Sequence, residues 1–231
     1  MQPETPILVP GRAAEPALAQ NRVLRNTYLL LAISMLPTIA GAWLGVQLKF
    51  AFFAGSPFIG FVLFLGIAFG FFYGIEKTKN SGWGVALLLG FTFFMGLMLS
   101  RLISHTLGYS NGGTLIALAF GGTSAVFVSM ATLASTIKRD LAPMGKFLFV
   151  GVIMLLVAVV ANIFLQLPGL AIAISVIAIG IFSAYMLYDI NRIITGGETN
   201  YVTATLAIYL DVYNVFANLL ALLGFAGGSN D

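Results

Sequence analysis

The sequence contains no cysteine in its 231 residues, which excludes disulfides, thiolate nucleophiles and cysteine-held metals. Histidine occurs once, as His105, so no pair of histidines is available for a metal or a relay. Charge is scarce as well: 11 basic and 8 acidic residues make up only 8% of the chain. A soluble domain of this size could not wet its surface with so few. The net charge of +3 is too small and too dispersed to mark a nucleic-acid partner. What the sequence has in abundance is hydrocarbon. Hydrophobic residues make up 59%, the mean hydropathy is +1.00, and the apolar runs are long and separated by short polar breaks. That is the composition of a chain that crosses a lipid bilayer several times.

A helix needs about 20 apolar residues to cross the hydrocarbon. By that measure the sequence predicts seven spans: Thr27–Leu48, Pro57–Ile75, Gly82–Ser100, Gly113–Ser135, Lys146–Leu167, Gly169–Ile190 and Thr203–Phe225. The runs are continuously apolar rather than alternating, which favours helices over a barrel. The expected fold class is therefore an all-α membrane protein with seven transmembrane helices. Residues 1–26 carry four prolines, three arginines and no apolar core. They are expected to form a disordered cytoplasmic tail rather than a signal peptide. The bundle is expected over 27–225, with a short external tail at 226–231.

The basic residues set the orientation. With the N-terminus inside, Arg12, Arg22, Arg25, Lys77, Lys79, Lys138, Arg139, Lys146 and Arg192 face the cytoplasm, and only Lys49 and Arg101 lie outside. Nine against two satisfies the positive-inside rule and puts the C-terminus on the external side.

Small and polar residues inside the spans are the next signal. Gly66, Gly70 and Gly74 are spaced by four, a ridge expected to let a neighbouring helix approach closely. Asn162 and Gln166 stand one turn apart in span five and are expected to hydrogen-bond between helices. In the last span, Ala204, Ala207, Asp211, Asn214, Asn218 and Ala221 recur at steps of three and four, which places them on one stripe. A stripe of small and amide side chains bearing a carboxylate must face protein or water, so the seventh helix is expected to be enclosed by the others.

No basic residue lies inside any span to neutralise Asp211. The remaining candidate partner is Asp189, near the cytoplasmic end of span six. Two ionised carboxylates in a low dielectric repel, so a close pair would share a proton and act as a pH-sensitive gate. The pair meets only if both acids lie at similar depth. A seventh helix starting near Ala204 places Asp211 about 10 Å along it, whereas a start at Thr199 places it about 18 Å along and out of reach. Gly196 and Gly197 favour ending span six there, with TGGETNYVT mostly loop, which agrees with the later start. Two plainer roles stay open: Asp189 pairing with Arg192 at i+3, and Asp211 serving as a neutral, hydrogen-bonded packing residue.

At these residues the sequence resembles a known family. The string YDINRI, followed by LAIYLDVYNVFANLLALLGF, is similar to the last two spans of the Bax inhibitor-1 family. The strings RNTYLLLAISM, ANIFLQLP and IITGGETNYVTATLAIYL resemble its bacterial inner-membrane branch, which modulates the membrane-anchored AAA protease. The likeness runs from about Arg25 to Phe225. It implies a central seventh helix wrapped by the other six. It also implies a pH-sensitive aspartate pair at Asp189 and Asp211 controlling a calcium leak, with Asn214 beside the second acid; Arg192, by its i+3 spacing, and Asn218, by its place on the stripe, are expected to support the pair. Further, it implies association with the protease and its band-7-type partners, with the N-terminal tail as the handle. Some family members carry an arginine in span two that engages the pair; Pro57–Ile75 has none, and Glu76 follows it.

Enzyme classes fit poorly. An intramembrane aspartyl protease needs Gly-x-Gly-Asp, but here the residues are Ile208-Tyr209-Leu210-Asp211. A rhomboid-type protease needs an intramembrane histidine, and a retinal protein a lysine in the last helix. No zinc, phosphate-loop or nucleotide motif appears, so no cofactor is expected. Calcium takes six to eight oxygens, more than Asp189, Asp211 and Asn214 supply, so passage of the ion is expected rather than tight binding.

Overall fold

A computed structural model of the protein describes residues 14–50 and 55–227. All of its elements are helices: α1 (Ala14–Gln47), α2 (Pro57–Thr78), α3 (Gly82–Leu107), α4 (Gly112–Thr136), α5 (Met144–Leu165), α6 (Pro168–Ile194) and α7 (Tyr201–Gly227). Each is long and apolar enough to cross a membrane. In hydrocarbon every backbone N–H and C=O must be satisfied within the chain, and helices do this locally. The ends fall where the sequence supplies a stop. Pro57 follows the capping residue Ser56, whose hydroxyl accepts from Ile59 N. Gln166 turns left-handed at φ 52° and closes α5. Asn200 caps α7, its Oδ1 accepting from Val202 N at 2.9 Å.

Some sequence expectations need correction. Of the expected tail, residues 14–26 form the start of α1, while 1–13 lie outside the described residues. The helix does not wait for the apolar run, because Ala14–Gln20 already contains good helix formers. At the other end α7 runs to Gly227, and residues 228–231 lie outside the described residues. Asn162 does not bond to another helix; its Oδ1 accepts from Leu167 N at 3.0 Å and closes the turn into α6.

The glycine ridge of α2 is also not used as expected. Gly66 and Gly70 are exposed, and a Cβ on either would meet nothing within 4 Å; only Gly74 faces a neighbour, at 3.1 Å from Leu87. The close approach occurs instead between α1 and α3. A Cβ on Gly41 would stand 2.2 Å from the Phe93 carbonyl oxygen, and one on Gly96 would stand 2.1 Å from that of Thr38. Both obstacles are backbone, so these two helices touch main chain to main chain. Spacing alone identifies a ridge but does not say whether a neighbour lies over it.

The seventh helix is enclosed. It packs against α1, α2, α3, α4 and α6, and no residue from Tyr201 to Gly224 is exposed. Five helices surround it rather than six, because α5 lies outside, against α6 and one edge of α2. The exposed Phe147, Phe149, Met154, Val157 and Phe164 make α5 a lipid-facing helix. The core around α7 includes Ile75, Leu88, Phe91, Met186, Ile190 and Ile208, all fully buried.

Candidate functional site

The starts of α1, α3, α5 and α7 and the ends of α2, α4 and α6 share one end of the bundle, here called the near face. There α6 and α7 pack side by side, joined by residues 195–200. Helix α7 starts at Tyr201, earlier than the favoured start near Ala204, so Asp211 lies about 15 Å along it. Helix α6 runs on past the core of its span to Ile194, ending at the break expected at Gly196 and Gly197, so Asp189 lies about 7.5 Å inside its terminus. The acids therefore meet. Their carboxyls lie within interaction range of each other, and Tyr185, one turn before Asp189, lies within reach of both charges. Asp189 is 9% exposed and Asp211 4%. The Oδ2 of Asp211 is buried and makes no hydrogen bond of regular geometry.

Arg192 leads from this pair to the surface. Its Nη1 stands 3.7 Å from Asp189 Oδ1 and its Nη2 3.9 Å from Glu198 Oε2, while its guanidinium lies 5.6 Å from the centre of the Tyr188 ring. The i+3 pairing of Asp189 with Arg192 is thus present, at the long end of ion-pair range. Asn214 and Asn218 do not reach the acids through their amides, which donate to the carbonyls of Leu210 and Asn214 one turn back, each at 2.8 Å. Among the described residues no three acids or histidines come together to hold a metal ion.

Several residues that matter here gave no motif. Asn191, fully buried, receives Leu141 N on its Oδ1 at 3.0 Å and donates to Arg139 O at 3.2 Å, tying the α4–α5 loop to α6. Asn200 donates to Lys79 O at 3.3 Å and Asn80 Oδ1 at 2.8 Å, tying the start of α7 to the α2–α3 turn. The Tyr209 hydroxyl lies 2.9 Å from that of Thr38 on α1 and 3.4 Å from Thr92 O on α3; Tyr213 donates to Met95 O at 3.3 Å. Only the position of Asn200 ahead of an apolar run is a signal readable beforehand. The arrangement joins two acids in low dielectric to the near-face loops through Arg192 and Glu198, whose Oε1 accepts from Asn200 N at 2.9 Å, and Asn200 in turn reaches the turn at residues 79–80. A proton gained or lost by the pair changes the charge that Arg192 faces.

Known proteins share this chain's pattern. Residues 20–228 match the family model described as inhibitor of apoptosis-promoting Bax1. An uncharacterized protein of Neisseria meningitidis serogroup A is 38% identical over 208 residues, 89% of this chain and 92% of its own. YccA of Escherichia coli is 38% identical over 209 residues, 90% of this chain and 92% of its own. It is named a modulator of FtsH protease in strain K12 and an inner membrane protein in strain CFT073. An uncharacterized membrane protein of Vibrio cholerae is 33% identical over 226 residues, 98% of this chain and 99% of its own. With the match spanning all seven helices, the chain belongs to the Bax inhibitor-1 family.

Proposed function

We propose that this chain is a regulatory protein of the inner membrane that binds a membrane-anchored AAA protease complex and modulates it. The observation that carries this reading is the 38% identity, over nine-tenths of both chains, to a modulator of FtsH protease. The protease and its band-7-type associates are the proposed partners, and the near face, with the N-terminal segment, lies in the cytoplasm. The basic residues around that face support the orientation. Residues 1–26 are the proposed handle. Co-purification from solubilised membranes tests the reading: the full chain brings the protease with it, and deletion of residues 1–13, the part of that segment ahead of α1, loses it. A full chain that recovers no protease contradicts it.

A second reading is a proton-gated leak for calcium or another cation, with Asp189 and Asp211 as the gate. The burial of both acids side by side supports it, because an uncompensated acid inside a membrane is rarely retained for packing alone. Arg192 links Asp189 to Glu198, and span two supplies no arginine to the pair. Calcium flux into liposomes, measured against pH for the wild type, Asp189→Asn and Asp211→Asn, tests it. The wild type gives a pH-dependent flux and the variants a flat one; three identical profiles remove the pair from the mechanism.

A further inference from the structure

Away from the acid pair, an apolar cleft of about 630 Å³ occupies the half of the bundle opposite the near face. Ile39 and Trp43 on α1 and Ile116 and Phe120 on α4 form its walls; Leu99 on α3 and Tyr213 on α7 lie at its floor. Helices α1 and α4 do not pack along their backbones. In the near half the edge of one ring bridges them, Tyr28 against Phe127 at 5.8 Å between centroids. Beyond that bridge the gap between them is the cleft. At its lips Trp43 is 64% and Phe120 65% exposed, so it opens sideways into the hydrocarbon.

We propose that this cleft binds one acyl chain of a phospholipid from the leaflet on that side. Its length fits. The lining on α1 runs from Met35 to Gln47, about 18 Å of helix, while one leaflet of hydrocarbon is about 15 Å deep.

Its chemistry selects hydrocarbon. The hydroxyls in the lining are already engaged: Thr38 with Ser34 O at 2.9 Å, Tyr209 with Thr38, and Tyr213 with Met95 O. The remaining polar side chains, Trp43 and Gln47, are exposed at the lip and the open end, so an occupant of the interior needs to offer no hydrogen bond, and water finds few partners there. At the open end the exposed Lys49 follows two residues after Gln47, a cation placed to meet the lipid's phosphate. A chain seated there lies against Tyr213 and Phe216 of α7, a helix with no exposed residue before Phe225.

Photolabelling tests the proposal. The full chain is reconstituted in liposomes containing a phosphatidylethanolamine with a diazirine halfway along one acyl chain, irradiated and mapped by peptide mass spectrometry. Label on Tyr213 and Phe216 is expected at a level comparable with Phe69, which faces lipid on α2. Ala117→Trp and Ala42→Trp, each plugging the cleft from a different wall, reduce the α7 label several-fold and leave Phe69 unchanged. Label on Phe69 without label on α7, or α7 label untouched by a folded plug variant, overturns the proposal. The wild-type map decides by itself if neither variant folds.

Discussion

The hydroxyl of Tyr209, at the middle of the enclosed helix α7, lies 2.9 Å from the hydroxyl of Thr38 on α1 and 3.4 Å from Thr92 O on α3. One fully buried side chain thus joins three helices. Phenylalanine keeps the ring, which packs edge-on against Phe91, and removes only the hydroxyl. Thr38 keeps its bond to Ser34 O. Tyr209→Phe is therefore expected to lower stability by about 0.6 kcal/mol, the usual worth of a hydrogen bond between membrane helices. Unfolding in mild detergent measures it; a loss several times larger means the hydroxyl has an additional role.

Asn191 is expected to matter more. It has no exposure, and its side chain is the partner of Leu141 N and Arg139 O in a loop without regular structure. Asn191→Ala leaves these groups unpaired at the membrane edge, costing about 1–3 kcal/mol. Protease accessibility of residues 137–143 is expected to rise in this variant. If it does not, water replaces the amide without loss.

The two sets of glycines give opposite predictions. Gly41→Ala and Gly96→Ala drive a methyl into the facing backbone and are expected to cost about 1–3 kcal/mol or to abolish folding. Gly66→Ala and Gly70→Ala have open space and are expected to fold as well as the wild type or slightly better, since alanine favours the helix. The unfolding midpoints of all four variants check this. A destabilised Gly66→Ala would place an unseen partner on α2.

Much of this was readable from the residues. Seven apolar runs, their order and the enclosure of the last one follow from hydrocarbon thickness and from the cost of placing Asp211, Asn214 and Asn218 against lipid. The meeting of Asp189 with Asp211 was conditional on a later start for α7. Helix α7 starts three residues earlier than that, at Tyr201, and the pair still meets because α6 runs to Ile194, next to the stop that Gly196 and Gly197 mark. Periodicity gives a side chain's angle around a helix but neither the helix ends to within a turn nor which ridge meets a neighbour. For that reason Gly66 and Gly70 face open space although their spacing marks a ridge, whereas Gly41 and Gly96 meet a backbone. Asn191 and Tyr209 were illegible because their partners lie 50 to 171 residues away in sequence.

Protonation of the acid pair should be visible in stability. With one proton shared, the pair carries a single charge facing Arg192; with both carboxyls ionised, two like charges repel in low dielectric. Stability is therefore expected to fall as pH rises through the loss of the shared proton and to recover as pH is lowered. In Asp211→Asn that dependence is expected to disappear. A variant that keeps the wild-type profile assigns the titration to other groups.

The rate of proteolysis in living cells is the most direct test of the central claim that this chain modulates a membrane-anchored AAA protease. The half-life of a membrane substrate of that protease is measured by pulse-chase in three strains: one with the chain, one lacking it, and one overproducing it. The account predicts that the half-life differs among the three and returns to its original value when the gene is restored. Equal half-lives in all three contradict it.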